Sequence, residues 1–223
     1  MKRDRCDSWH VRLGTILALA LAVGAPSVAR AERVGTIEIS GGGGWRVGGD
    51  LKGREDKVSG DELSDLHFES SASYGASIGR WMRPDTQLEV LWSRQSTNVT
   101  NPKPYDGEAP IDVDVVVDDF LAGLLRYSGR AYDRRRWFGG VHAGLTKFGF
   151  EHETEDRFAM GASAGLRMRA ATRARLRLHV RSRWAYLNRK HDFLLDDEGL
   201  RWRFPRSNWA HEWDFGANLG FLF

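Results

Sequence analysis

The stretch EWDFGANLGFLF, residues 212–223, ends the chain and decides the fold. Apolar side chains take every second position, at Trp213, Phe215, Ala217, Leu219, Phe221 and Phe223. The positions between them carry Glu212, Asp214, Gly216, Asn218 and Gly220. Because successive side chains of a β-strand point to opposite faces, one face of this predicted strand suits hydrocarbon and the other suits water or a polar interior.

The first 31 residues have the pattern of an export signal. A basic start at Lys2, Arg3 and Arg5 precedes an apolar stretch over residues 13–25, and Ala29 to Ala31 form a small-x-small cleavage site. That stretch is too short for a spanning helix, and no later apolar run approaches the roughly 20 residues needed. We therefore expect a signal peptide over residues 1–31 and one domain over residues 32–223, with any membrane span made of strands.

Removing the predicted signal changes the charge and the cysteine content. The chain has 33 Lys+Arg and 30 Asp+Glu, and the signal holds five and two of them, so 28 of each remain. The sequence pI of about 9.2 is thus poor evidence for a nucleic-acid partner. Since the one cysteine, Cys6, lies in the signal, the mature chain has neither a disulfide nor a thiolate metal site.

Alternating segments of about ten residues recur along the mature chain, as expected of membrane β-strands. We predict eight: residues 36–47, 68–81, a segment around 88–92, 113–127, 137–148, 160–168, 175–186 and the terminal strand. Connections over 48–67, 98–112 and 188–207 are long and polar, whereas 83–86 and 170–174 are short, which fits long outward loops and short periplasmic turns. The even strand number predicts both mature termini on the periplasmic side.

The alternation is interrupted in two segments. In the second, Phe68, Ala72, Tyr74, Ala76 and Ile78 form the apolar face, and the alternation slips near Arg80 at a strand end. In the fourth, one parity carries Val113, Val115, Val117, Leu121, Leu125 and Tyr127, but Asp119 falls among them. Either a bulge lies there or the apolar face is imperfect.

The seventh segment carries a basic ladder, Arg175, Arg177, His179, Arg181 and Arg183, on one parity. These side chains would be costly against lipid, so they are predicted to point inward. The expected partners are Glu212 and Asp214 on the last strand, with Glu38, Glu69 and Glu89 as further candidates. An eight-stranded barrel is just wide enough for side chains to fill it, which favours a salt-bridged core. A narrow anion-selective passage or a bound acidic ligand remains the alternative.

Other polar groups carry weaker signals. His142 and His179 share the inward parity and are interpreted as hydrogen-bonded structure. The acidic runs at residues 151–156 and 196–198 lack enforced ligand spacing, so no metal or cofactor is predicted there. Such loops could bind divalent cations weakly or, with Arg201, Arg203 and Arg206, lipopolysaccharide phosphates.

A catalytic interpretation centres on Ser207, Asn208 and His211 beside Glu212. Some outer-membrane barrels are lipid A deacylases with a serine and a histidine on the outer face, but their usual His-x-Ser-Asn order is absent. His211 and Trp213 share the lipid-facing parity, which favours interfacial anchoring. No catalytic residue is predicted, because nucleophile, base and orienting group do not assemble at matching spacing.

Aromatic residues would supply girdles at the two membrane interfaces. The candidates are Trp45, Tyr74, Trp92, Tyr127, Trp184, Trp213 and Phe223. In a soluble β-sandwich the same residues would form a core and the arginine ladder would lie in water. The export signal, terminal Phe, eight spans and alternating connections favour the membrane.

These patterns together resemble the small eight-stranded outer-membrane barrels, the OmpA transmembrane domain, OmpX and related porin-family proteins, over essentially the whole mature length. The resemblance implies an all-β, up-and-down antiparallel transmembrane barrel in a Gram-negative outer membrane, surrounded by lipid and lipopolysaccharide and monomeric. It also implies that barrel-assembly machinery reads a C-terminal signal formed by Phe215, Leu219, Phe221 and Phe223. The expected role is structural or surface-interacting and non-enzymatic, with a charge-paired, plugged interior. A channel or lumen-binding protein for small anions is the alternative, and a lipid-modifying enzyme a minor one.

Overall fold

The computed structural model describes residues 34–51, 66–101, 112–150, 154–187, 192–194, 201–203 and 208–223. The strands are β1 Ile37–Val47, β2 Asp50–Leu51, β3 Leu66–Phe68, β4 Ser71–Arg83, β5 Thr86–Thr100, β6 Asp112–Tyr127, β7 Arg135–Gly149, β8 Thr154–Arg169, β9 Ala174–Leu187, β10 Asp192–Leu194, β11 Arg201–Arg203 and β12 Asn208–Leu222. This part of the chain contains no helix long and apolar enough to cross a bilayer.

The long strands β1, β4, β5, β6, β7, β8, β9 and β12 form a closed antiparallel barrel in that order. The ladder between β1 and β12 closes it, from Glu38 opposite Leu222 to Val47 opposite Trp213. At the end of this seam the Phe223 amide donates to the Ile37 carbonyl over 2.9 Å. The predicted eight-stranded, up-and-down antiparallel barrel is therefore confirmed.

The two ends of the barrel differ in their connections. One end carries the turns β4–β5, β6–β7 and β8–β9, and the start of β1 and the end of β12 lie there too. We call it the short-turn end. The other, the long-connection end, carries the links β1–β4, β5–β6 and β9–β12, and also the brief β7–β8 link. There β2 and β3 extend the sheet beside β5, while β10 and β11 pair with each other.

The outer surface is apolar along every long strand, because alternate side chains point outward. Large exposed side chains include Ile39, Trp45, Tyr74, Ile78, Val90, Phe120, Leu124, Trp137, Val141, Leu145, Phe158, Leu178, Val180, Trp213 and Phe215. Such a contiguous apolar belt would be a liability in water and suits hydrocarbon.

The β6 strand corrects one sequence interpretation. Neither a bulge nor an imperfect lipid face exists there, because Leu121, Leu125 and Asp119 all point inward and are buried. The outward face of β6 carries Phe120 and Leu124, which are about half exposed. Both parities of this strand are apolar, so alternation alone did not show which one faces lipid.

Three further residues lie elsewhere than predicted. Tyr127, expected in a girdle, points into the barrel between Trp81 and Phe138, and its hydroxyl donates to Gln87 over 2.8 Å. Phe68 belongs to β3 and packs inside against Phe148. Glu69 is exposed between β3 and β4, so this candidate partner of the ladder does not enter the interior.

Candidate functional site: the ion-paired interior

The barrel interior consists of three layers along its axis. An aromatic and arginine layer occupies the short-turn end, ion pairs occupy the middle, and aliphatic and aromatic side chains fill the long-connection end. Each layer comes from the inward parity of several strands, so the alternating pattern that makes the outside apolar also assembles the inside.

Asp119 is the centre of one half of the ion-paired layer. Its Oδ2 lies 2.9 Å from Nη2 of Arg46, and its Oδ1 is bonded to Nη1 of Arg183. The Thr146 hydroxyl donates to Oδ1 over 2.6 Å and the Ser93 hydroxyl to Oδ2 over 3.1 Å. The carboxylate is thus fully hydrogen-bonded although only 1% of the residue is exposed, which is the condition under which a buried charge is tolerated.

Glu212 shares the two arginines that bind Asp119. It is ion-paired with Nη2 of Arg183 on the neighbouring strand, and its Oε2 lies 3.8 Å from Nη1 of Arg46. Two carboxylates and two guanidinium groups therefore alternate here, so each charge has opposite charges beside it.

The other half of the layer is built on Glu38 and Glu89. Arg177 bonds to both, reaching Oε1 of Glu38 at 3.3 Å and Oε1 of Glu89. Arg167 donates to Oε2 of Glu38 over 2.8 Å. Nε2 of His142 lies 3.5 Å from the remaining oxygen of Glu89, so this histidine has a structural neighbour inside the barrel.

Arg181 and Asp214 lie between these halves. Nη1 of Arg181 is 3.5 Å from Oδ2 of Asp214, and the Ser73 hydroxyl donates to Oδ1 over 3.2 Å. Beside them is a cavity of about 20 Å³, bordered also by Gly42 and His179. That volume is close to what a single water molecule occupies.

Arg175 lies inside and donates hydrogen bonds to the backbone carbonyls of Ala171, Thr172 and Ala174 at the short-turn end. Nearby, Arg136 donates to the Ser128 and Pro84 carbonyls. The guanidinium groups of Arg136 and Arg167 also lie 5.6 and 5.0 Å from the centre of the Trp81 ring, within cation–π range.

The long-connection end is closed by apolar side chains. Buried together are Leu66, Phe68, Leu91, Val99, Val115, Val117, Leu121, Phe148, Ala159, Ala185, Leu187 and Ala210. They come from the inward faces of β3, β5, β6, β7, β8, β9 and β12. This layer separates the ion pairs from the long connections.

The structure brings the basic ladder of β9 together with Glu38, Glu89, Glu212 and Asp214. Sequence reasoning missed Asp119, Arg46 and Arg167 as partners. The sequence did contain a signal for Asp119. An aspartate among the apolar residues on one face of a strand indicates that this face points into the barrel rather than toward lipid. Arg46 stood on the polar parity of β1 with Glu38, but nothing in the sequence shows which strands meet across the lumen.

On the outer face, the structure pairs His211 with Ser182. Nε2 of His211 lies 2.6 Å from the Ser182 hydroxyl, the imidazole stacks on Trp184 at 5.2 Å, and Trp213 meets it edge-on. Ser182 is only 4% exposed, so its hydroxyl is covered by this cluster. Packing of His211 among tryptophans fits interfacial anchoring.

The acidic loop residues considered for metal binding lie partly beyond what the structure describes, at residues 151–153 and 196–198. Of the described ones, Glu155 pairs with Arg157. No group of three or more potential metal ligands occurs within the described ranges. Ser207 also lies outside them.

An apolar exterior around an ion-paired interior defines the fold class, the eight-stranded outer-membrane β-barrel. The chain is similar to the outer membrane protein OprG of Pseudomonas aeruginosa (TM-score 0.58, 14% identity, 88% of this chain and 99% of that one). It is also similar to the outer membrane protease OmpT of Escherichia coli (TM-score 0.52, 7% identity, 90% of this chain and 99% of that one). A third similar structure is Neisserial surface protein A (TM-score 0.50, 9% identity, 84% of this chain and 97% of that one). No protein-family model and no curated protein matches the chain. The expected likeness to small outer-membrane barrels is confirmed at the level of fold.

Proposed function

We propose that this protein is an integral outer-membrane barrel with a structural or surface-interaction role and a plugged, non-conducting interior. The observation that carries the proposal is the layered interior, in which an apolar layer at one end and an aromatic and arginine layer at the other enclose a buried ion-pair network. A barrel filled in this way exposes an apolar belt to lipid and leaves the long connections available for contacts at the surface.

Several features extend this proposal to the whole chain. Residues 1–31 act as a cleaved export signal, and the short-turn end, with both mature termini, faces the periplasm. Phe223 ends β12 beside Ile37 on β1, where the barrel closes, which supports a role in recognition by the assembly machinery. The barrel is monomeric, and lipid and lipopolysaccharide are its surroundings. We also infer a non-enzymatic role, which the packing of Ser182 and His211 within an aromatic girdle supports.

A narrow passage or binding site for small anions is the second candidate. The observation that favours it is a charge imbalance among the described residues: eight buried arginines point inward against five buried inward carboxylates. The inward arginines are Arg46, Arg136, Arg157, Arg167, Arg175, Arg177, Arg181 and Arg183; the carboxylates are Glu38, Glu89, Asp119, Glu212 and Asp214. Other groups bind some of the excess arginines. Backbone carbonyls accept from Arg136 and Arg175, the Trp81 ring faces Arg167, and the half-buried Glu155 pairs with Arg157.

Conductance in planar bilayers separates the two candidates. The plugged barrel is expected to give no reproducible current steps, since ions would have to cross the apolar layer at the long-connection end and the aromatic and arginine layer at the short-turn end. Ion-selective steps in the wild type that Arg181→Glu abolishes or reverses would overturn the plugged interior in favour of an anion passage.

Outer-membrane fractionation and a heat-modifiable gel band test the barrel itself, and their failure would remove both candidates. Release of acyl chains from lipid A, lost in Ser182→Ala, would refute the non-enzymatic role.

A further inference from the structure

The short-turn end carries a ring of arginines that the interior does not use. Among the described residues they are Arg80, Arg83, Arg126, Arg130, Arg134, Arg135, Arg169 and Arg173, and we call them the arginine rim. They lie on or beside the three turns β4–β5, β6–β7 and β8–β9, so the rim extends around much of the barrel. The acidic side chains described at these turns are Asp85 and Asp133.

Those two aspartates neutralise little of the rim. Asp85 accepts from the Thr86 hydroxyl and lies 3.6 Å from Nε of Arg126, whose side chain is 83% exposed. Asp133 accepts from the backbone amide of Arg130 over 2.7 Å. Such an exposed pair contributes little net attraction. The rim arginines that are exposed, among them Arg80, Arg83 and Arg135, therefore keep most of their positive charge at the surface.

The long-connection end gives the contrast within the same molecule. Among its described outward-facing charges, Arg94 binds Asp118 through two hydrogen bonds of 2.8 and 2.6 Å, and Lys147 lies 3.9 Å from Asp156. Asp112 and Asp114 are exposed on β6 at the same end, so its described outer face carries no excess of arginine. Excess positive charge on the outer surface is therefore a property of the described short-turn end, not of barrel ends in general.

Exposed aromatic rings place this rim at a membrane interface. Trp137 is 67% exposed and follows Arg135 by two residues on the same outward face of β7. Tyr132, 58% exposed, receives a hydrogen bond from Arg130 at 2.7 Å. Tryptophan and tyrosine prefer the headgroup level of a bilayer, so the neighbouring guanidinium groups lie where lipid phosphates are found.

We propose that the arginine rim binds the phosphates of anionic phospholipids in the leaflet that surrounds the short-turn end. Planar guanidinium groups bind phosphate oxygens in pairs, which suits them better than an ammonium for this contact. The inference rests on the proposed membrane insertion and adds a lipid preference to it. Arg80, Arg126 and Arg135 point outward on β4, β6 and β7 and form the part of the rim best placed to reach headgroups.

The test is lipid retention by the inserted barrel. The protein is reconstituted in vesicles of equal phosphatidylglycerol and phosphatidylcholine, extracted in mild detergent and weighed by native mass spectrometry with its bound lipids. We expect phosphatidylglycerol to be enriched. The triple variant Arg80→Gln/Arg126→Gln/Arg135→Gln should reduce this preference by roughly fivefold per arginine, on the order of a hundredfold in all. Lys147→Gln, at the other end, should retain it.

The outcomes separate the two levels of inference. Equal retention of both lipids by an inserted, heat-modifiable wild type, or unchanged preference in the triple variant, would overturn the lipid site and leave the proposed barrel intact. A chain that does not insert into these vesicles would overturn both. Because the three substituted side chains are exposed, the folded gel band of the triple variant is expected to match that of the wild type.

Discussion

Asp119→Asn removes one negative charge from the centre of the interior while keeping the size of the side chain. In the wild type Arg46 and Arg183 both bind this carboxylate, and both are buried. Breaking a buried ion pair from one side costs about 3–5 kcal/mol because a charge is left uncompensated. Glu212 remains beside both arginines, so we expect the lower end, about 3 kcal/mol of unfolding free energy.

The neighbouring Asp118 supplies the matched control, because it lies on the opposite face of the same strand. Asp118 is buried, but its partner Arg94 has a side chain that is 41% exposed and can turn to water when the charge is removed. Asp118→Asn should therefore cost less than Asp119→Asn, about 1 kcal/mol. Salt should weaken the Asp118 contribution and leave that of Asp119 nearly unchanged, since buried pairs are poorly screened.

Reversible urea unfolding in lipid vesicles, followed by tryptophan fluorescence, measures both losses. Arg183→Met combined with Asp119→Asn should cost less than the sum of the single variants, because removing both partners leaves no unpaired charge between them. If Asp119→Asn were no more destabilising than Asp118→Asn, the ion-paired interior would not be the stabilising network described above.

Three further outcomes follow from particular positions. Gly42→Ala should destabilise the β1–β12 seam by about 1–3 kcal/mol, because the added carbon would lie 2.0 Å from the Ala217 carbonyl oxygen. The control is Gly41→Ala, whose added carbon has its nearest atom at 3.6 Å. It should leave the unfolding free energy unchanged in the same urea assay. Tyr127→Ala should cost about 3–5 kcal/mol as a core truncation; a loss under 1 kcal/mol would place its ring in a girdle instead. Phe223→Ala should lower the yield of folded barrel in cells but not refolding of purified protein in detergent, and equal losses in both would assign Phe223 to stability alone.

The barrel itself could be predicted because its determinants are local. Alternation in each strand, the short turns and the final strand are all visible in a single sequence. The same applies to partners on adjacent strands, such as Arg183 with Glu212, since consecutive long strands of an up-and-down barrel lie side by side.

Contacts across the lumen could not be predicted in this way. Arg46 on β1 meets Asp119 on β6, although β1 and β6 are not adjacent. Arg177 on β9 likewise meets Glu89 on β5, and those two strands are not adjacent either. Which side chains meet there depends on the tilt and stagger of the closed sheet, which no short segment encodes. The assignment of β6 failed for a related reason: its inward face is apolar because it belongs to the layers above and below the ion pairs.

That layering gives the interior charges their physical effect. Ion pairs gain strength where water is excluded, and each costs more when a partner is lost. Here Phe148, Val115 and Leu187 shield the network at one end, and Trp81 and Tyr127 shield it at the other. An ion entering the barrel would have to displace an apolar layer and then separate paired charges, two unfavourable steps in series. The excess of arginine is therefore compatible with a closed interior, and opening it would require movement of the apolar layer first.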